Sequence, residues 1–231
     1  MFNFFCKPKK LYKLSEIKSL NVSITKLRQE VKIAVIDDQK FAPIDNLRRL
    51  SFDITYFPDI SSLDQIKNYP IVICDIKGIG KEFGAKYEGA FVISEIKKSY
   101  PDKYVIAYST ASYGLDIAEF IQKADIVSSK GATVEEWSSI LENAIKNISD
   151  ASARWKKIRW SLLDNGIELS DLLELEQKYI LSILNSTNEM DYNNVLSNIN
   201  NNIIIDIVKD FSSTALVEIL KYYALGESNG G

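Results

Sequence analysis

The chain contains no histidine, which removes the commonest metal ligand and general base, and with them Ser-His-Asp, Cys-His and His-ligated zinc chemistry. Whatever chemistry it performs must run on carboxylates, hydroxyls and lysines. Its two cysteines, Cys6 and Cys74, are too few for a zinc site or a disulfide framework, as suits a reducing compartment. Nowhere does an apolar run approach the ~18 residues that a membrane-spanning helix needs. The apolar start MFNFF precedes its basic residues, the reverse of a secretory signal, so a cytoplasmic location is expected and membrane contact is not. There is no strong excess of either charge. A net charge of −3 offers no general field for nucleic acid.

What is present sits near globular averages, with 46% hydrophobic and 26% charged residues, enough to bury a core. The 231 residues suit one large domain, or a domain of ordinary size with a helical appendage. Residues 1–30 hold seven Lys/Arg against two Glu, and residues 151–231 hold seven against eleven acids. All five prolines fall in the first 101 residues, so a strand-and-turn region gives way to a helical one. These shifts divide the chain into a basic N-terminal arm (1–30), an alternating domain (31–149) and a helical region (150–231). The arm, KPKKLYKLSEIKSL, reads foremost as solvated surface, with helix packing or an anionic-lipid contact as alternatives.

Within the middle segment, VKIAVIDDQ, IVICD, YVIAYST and ADIVSSK are short, β-branched apolar runs of the kind that form buried parallel strands. SFDITYF alternates and fits a more exposed strand. Helical patterns lie between these five strands: Ile44 to Leu50, Leu63 to Lys67, Gly89 to Ser99, Gly114 to Lys123 and Val134 to Ile148. The last begins with a capping box, Thr133 and Glu136. Alternation of this kind predicts a doubly wound, five-stranded parallel α/β sheet with helices on both faces. Beyond Ile148 the pattern is helical only. Helices are expected over Ala153 to Leu163, from an N-cap at Ser170, near Tyr192 to Ile199, over Ile203 to Phe211 and over Thr214 to Leu225.

Polar residues interrupt the strands at their carboxyl ends. Asp37 and Asp38 end the first, Asp75 the third, Ser109 and Thr110 the fourth, and Lys130 the fifth. In a parallel sheet these ends share one edge, where ligands bind. Three carboxylates, a hydroxyl and an ammonium would therefore meet in one pocket. Crowded carboxylates repel one another and are relieved by a hard cation such as Mg2+, which takes one or two carboxylates with phosphate oxygens and waters. A lysine opposite can pair a phosphate oxygen. The outline is that of a phosphoryl-transfer site.

The acidic pair in AVIDDQ, the aspartate in IVICDIKG, the hydroxyl before alanine in AYSTAS and the lysine in ADIVSSK occur in the order found in receiver domains of two-component response regulators. Residues 31 to about 148 resemble that family. The resemblance implies a flavodoxin-like fold, Asp75 as phosphoacceptor, and Mg2+ held by Asp75, by Asp38 directly, by Asp37 through water and by the backbone carbonyl of Lys77. It further implies Thr110 as a switch hydroxyl, Lys130 as the phosphate partner, and a histidine kinase or phosphotransfer protein as donor, in a signalling protein that is not itself an enzyme. The pattern departs from the family at Gly131, where proline is usual, at Val127, where an aromatic is usual, at Ile79, where proline is common, and in a longer loop after Asp75.

Other features read more plainly. Gly78, Gly80 and Gly84 do not follow a first strand or open a helix, so they predict a flexible loop and no dinucleotide fingerprint. Arg154, Lys156, Lys157 and Arg159 beside Trp155 and Trp160 suggest a helix with a buried tryptophan and lysines outside. The acidic balance of that region argues against DNA. Leu172, Leu173, Leu175, Tyr179, Ile180, Ile183 and Leu184 cover more than one core-facing stripe, which predicts contact with neighbouring helices, a protein partner or a second copy. A pseudo-receiver scaffold, binding protein without phosphorylation, is the alternative from another functional class. An aspartyl-phosphate hydrolase fits less well, because Lys77 stands where a second acid would be needed.

Overall fold

The computed structural model describes residues 10–17, 22–109, 115–185 and 192–212. Five parallel strands, β1 (Lys32–Ile36), β2 (Asp53–Phe57), β3 (Ile71–Asp75), β4 (Tyr104–Ser109) and β5 (Ile126–Ser129), form one sheet in the order β2-β1-β3-β4-β5. This order belongs to the doubly wound flavodoxin-like architecture, which reverses direction between β1 and β3 and opens a crevice there at the carboxyl edge. The inner strand β3 is buried throughout, whereas the edge strand β2 buries only Ile54. That difference is the one that continuous and alternating hydrophobicity predict.

Side chains alternate across the pleat, and the two faces carry separate cores. Ile33, Val35, Ile71, Ile73, Ile106 and Tyr108 face α1 (Ile24–Glu30), α2 (Ile44–Arg49) and α5 (Val134–Ser149). Ala34, Ile36, Val72, Cys74, Val105 and Ala107 face α3 (Glu88–Ser99) and α4 (Leu115–Ile121). The predicted capping box starts α5. Thr133 Oγ1 accepts from the Glu136 amide at 3.2 Å, and Glu136 Oε2 accepts from the Thr133 amide at 2.7 Å.

The helical region comprises α6 (Ala151–Asp164), α7 (Leu169–Leu184), α8 (Asn193–Leu196) and α9 (Asn202–Ser212). Its core is built on Trp155, which stacks on Tyr179 at 5.0 Å and lies 5.9 Å from Phe211. A single residue joins α5 to α6. Asp150 caps the end of one, and its carboxylate accepts from the Ala153 amide at 3.0 Å to start the other. Leu172, Leu175, Tyr179, Ile180 and Ile183 are buried, while Leu173 and Leu184 remain exposed.

The structure refines several expectations. Arg154, in the cluster next to Trp155, is buried and pairs with Asp102 at 2.5 Å. The N-terminal arm keeps Lys10, Leu11, Lys13, Ser15 and Glu16 exposed but is not solvated surface throughout. The Tyr12 backbone makes two 2.8 Å hydrogen bonds with the Gln177 side chain, Leu14 and Ile17 pack on the helical core, and α1 buries Leu27 against the sheet. Helix α7 starts at Leu169 with Glu168 at its N-cap, two residues earlier than an N-cap at Ser170 predicts. The helix expected over Thr214 to Leu225 lies outside the described residues.

Helices α6 and α9 dock at the amino edge of the sheet. Arg154 meets Asp102 just before β4, Lys157 meets Asp125 just before β5 at 2.6 Å, and Asp210 meets Lys67 ahead of β3 at 2.5 Å. Close by, the buried Lys103 ammonium donates to the carbonyls of Ile66, Lys67 and Tyr69 at 2.7–3.0 Å. Among the described residues, these contacts of the helical region lie at the edge opposite the carboxyl ends of the strands.

Candidate functional site

Residue parity assembles the carboxyl edge. Asp37 follows Ile33 and Val35, Asp75 follows Ile71 and Ile73, Tyr108 follows Tyr104 and Ile106, and Lys130 follows Ile126 and Ser128. Each series steps by two along its strand, and each has members in the core beneath α1, α2 and α5. All four side chains thus belong to one face. The register sets Ile36 beside Cys74 and Asp75 beside Tyr108, so the first acidic pair and Asp75 end side by side.

One carboxylate oxygen from each of Asp37, Asp38 and Asp75 lies within 4.8 Å of the others. Asp37 and Asp75 are buried and Asp38 is exposed. The Lys130 ammonium bridges the two buried acids, pairing with Asp75 Oδ2 and reaching Asp37 Oδ1 at 3.3 Å. Asp75 Oδ1 accepts from the Lys77 amide at 3.3 Å. Both Asp37 oxygens are engaged: Oδ2 takes the Tyr108 hydroxyl, and Oδ1 takes the Gln39 amide at 3.0 Å as well as Lys130. Tyr56, on β2, donates to the Asp37 carbonyl at 2.7 Å.

Burial, with Asp37 adding to it, raises the Asp75 carboxyl above the usual aspartate range, although Lys130 and the Lys77 amide oppose the shift. Burial pulls on Lys130 too, but its bonds to Asp75 and Asp37 and their charges hold its ammonium above the usual lysine value. The Tyr108 hydroxyl is driven far up by burial, then by its hydrogen bond to Asp37 and the charges of Asp37 and Asp75, so it acts as a donor. Three carboxylates and one ammonium leave a net negative site. A small divalent cation fits that donor set, since Mg2+ binds oxygens at about 2.0–2.1 Å and accepts water in unfilled positions.

The loop after Asp75, expected as a flexible segment, is hydrogen-bonded to carboxylates outside it. Asp59 accepts from the amides of Gly80 at 2.5 Å and Lys81 at 3.3 Å, and Glu88 Oε2 accepts from the Gly78 amide at 2.7 Å. Gly78 sits at φ +77°, where a Cβ would come within 2.3 Å of the Asp38 carboxylate. Gly89, the second residue of α3, lies against the strand end, with a Cβ position 1.9 Å from the Asp75 carbonyl oxygen. Neither place has room for a side chain.

Of the residues singled out from sequence, Asp37, Asp38, Asp75 and Lys130 converge here. Lys77 lies in the adjoining loop, and Thr110 lies outside the described residues. Sequence reasoning missed Tyr108, Tyr56, Asp59 and Glu88. A signal for Tyr108 existed, because it stands two residues after Ile106 and so shares its face of the strand.

No family model matches the chain, and no curated protein matches it. Solved structures similar to it include a CheY-like response regulator receiver domain protein from Methanospirillum hungatei JF-1, at 15% identity and TM-score 0.42, covering 51% of this chain and 95% of that one. The receiver domain of NtrX from Brucella abortus is similar at 22% identity and TM-score 0.41, covering 49% and 98%. A response regulator from Thermotoga maritima is similar at 18% identity and TM-score 0.40, covering 50% and 97%. The fold assignment rests on the strand order. The N-terminal half of the chain has the doubly wound flavodoxin-like fold, β2-β1-β3-β4-β5, with an acidic triad at its carboxyl edge, and a helical region follows it.

Proposed function

We propose that the chain is a cytoplasmic phosphoacceptor signalling protein in which Asp75 is phosphorylated by a histidine kinase or phosphotransfer protein. The observation that carries this is the convergence of Asp37, Asp38, Asp75 and Lys130 on one strand-end pocket. An Asp75 carboxylate oxygen attacks phosphorus. The bond from phosphorus to the donor's nitrogen breaks, and the nitrogen keeps the electron pair. Lys130, which bridges Asp75 and Asp37 beforehand, turns its ammonium to an oxygen of the new acyl phosphate, and the Thr110 hydroxyl bonds to another.

The donor set fits Mg2+, which when bound neutralises charge developing on the transferred phosphoryl group. Asp38, Asp75 and the Lys77 carbonyl would hold it directly. Asp37, whose two oxygens already accept three donors, would hold it through water. The state of the site then biases the helical region, whose contacts are with a protein partner or a second copy. No DNA contact is expected, because residues 151–231 carry more acidic than basic side chains and lack the cationic surface that drives such binding.

A Mg2+ titration of three proteins tests the assignment. The wild type should bind, Asp38→Ala should bind far more weakly, and Asp37→Ala should fall between them, because a direct ligand contributes more than one acting through water. Equal and negligible effects of the two substitutions would remove the metal assignment. Without Mg2+ binding by the folded wild type, the pseudo-receiver scaffold would be the better reading.

A further inference from the structure

We infer that Glu88, the first residue of α3, is a positioning residue that sets the orientation of the Lys77–Gly78 peptide and so aims the Lys77 carbonyl at the metal. The inference rests on the reading of Lys77 as a ligand. The Gly78 amide donates to Glu88 Oε2 at 2.7 Å. That amide and the Lys77 carbonyl belong to one planar trans peptide, in which N–H and C=O point in opposite directions. Holding the N–H toward Glu88 therefore turns the carbonyl away from it and prevents the peptide from flipping.

Two further observations separate this contact from ordinary loop packing. Glu88 sits at φ +44°, one of two non-glycine residues with positive φ among the described residues. An L-residue with a long side chain adopts that backbone at a cost, and such strain collects at functional sites. Asparagine or glycine would relieve the strain, so stability alone does not explain glutamate at this position. In addition, Gly89 brings the start of α3 against the Asp75 carbonyl oxygen. The element that carries Glu88 is thus anchored to the strand end that carries the phosphoacceptor.

Asp59 completes the arrangement by fixing the next stretch of loop at Gly80 and Lys81. Beyond the bond from the Lys77 amide to Asp75, carboxylates hold the loop at Gly78 and at Gly80 and Lys81, and the Gly78 bond is the one made by the ligating peptide itself. Where the family pattern has a shorter loop, this chain has a longer one closed across ten residues by the Glu88 bond.

The test is Mg2+ affinity, with Mg2+ alone as the probe. Glu88→Asn suits the backbone but is too short to reach Gly78, so it should leave the thermal midpoint unchanged or raised. It should also weaken Mg2+ binding by roughly 10-fold or more, as loss of an outer-shell partner does, whereas Glu88→Gln keeps an acceptor and should stay within about 3-fold of the wild type. An Asn variant that binds Mg2+ as tightly as the wild type, while Asp38→Ala does not, would overturn the role of Glu88 and leave the metal site standing. A wild type that binds no Mg2+ would overturn both. Independently of any variant, the amide resonance of Gly78 should shift as Mg2+ saturates the protein, and a resonance that stays in place at saturation would contradict the inference.

Discussion

The Tyr108 hydroxyl donates to Asp37 Oδ2, while its ring stands edge-on to Trp137 of α5, with centroids 5.8 Å apart. One side chain thus touches both the acidic cluster and the helix that leads into α6. Phe41 closes the group, lying 5.4 Å from Tyr108 and 5.1 Å from Trp137. Tyr108→Phe keeps these ring contacts and removes the donor from a buried carboxylate. The expected cost is about 1.5–3 kcal/mol, the usual worth of a hydrogen bond to a charged group, read from urea unfolding. The near-ultraviolet circular dichroism of Trp137, isolated by comparison with Trp137→Phe, should change when Mg2+ binds to the wild type and change less in Tyr108→Phe. An identical response in both would show that Tyr108 does not couple the two.

Gly89→Ala is expected to damage fold and site together. Its Cβ would lie 1.9 Å from the Asp75 carbonyl oxygen, a backbone atom that cannot swing aside as a side chain could. Overpacking of this kind costs about 1–3 kcal/mol, and displacement of Asp75 should weaken Mg2+ binding as well. A variant with wild-type urea midpoint and Mg2+ affinity would contradict the packing.

The Arg154–Asp102 pair joins the helical region to the sheet in a setting where both residues are buried. Arg154→Met leaves the Asp102 charge without this partner, and removing one member of a buried pair costs about 3–5 kcal/mol. Replacing Asp102 with Leu at the same time should recover much of that loss. If the double variant is no more stable than Arg154→Met, the two residues are not coupled.

Alkaline pH should unfold the protein through its buried tyrosines. Burial, then the charges of Asp210 and Asp64, pushes Tyr100 up to about 12, and burial drives Tyr108, Tyr179 and Tyr192 up as well. A raised folded-state value for an acid means that the unfolded chain releases its protons first. The stability these four contribute is therefore complete below about pH 10 and is lost as pH rises through their folded values. Lys103 works in the opposite sense. Burial lowers it to about 8, so between about pH 8 and 10 the unfolded chain holds more protons there and stability rises. Urea midpoints should rise gently over that interval and fall above it, and Lys103→Met should flatten the rise.

The strands were legible because β-branched apolar runs end abruptly at polar residues, and the same ends identified Asp37, Asp38, Asp75 and Lys130. What stayed hidden depends on chain segments that meet only after folding. Glu88 and Asp59 hold the loop through amides ten or more residues away. Arg154 looks like any surface cation until Asp102, 52 residues earlier, is brought beside it. The Tyr12 contact with Gln177 spans 165 residues, and nothing local distinguishes that arm from a solvated one. Tyr108 reads as core because most of its surface is core, and only its hydroxyl belongs to the site.

Intact-mass measurement of the folded protein with acetyl phosphate, in the presence and absence of Mg2+, tests the central claim most directly. The account predicts one added phosphate per chain that requires Mg2+, is lost in Asp75→Asn and maps to the peptide containing Asp75. No adduct on the wild type, or an adduct that persists in Asp75→Asn, would contradict it.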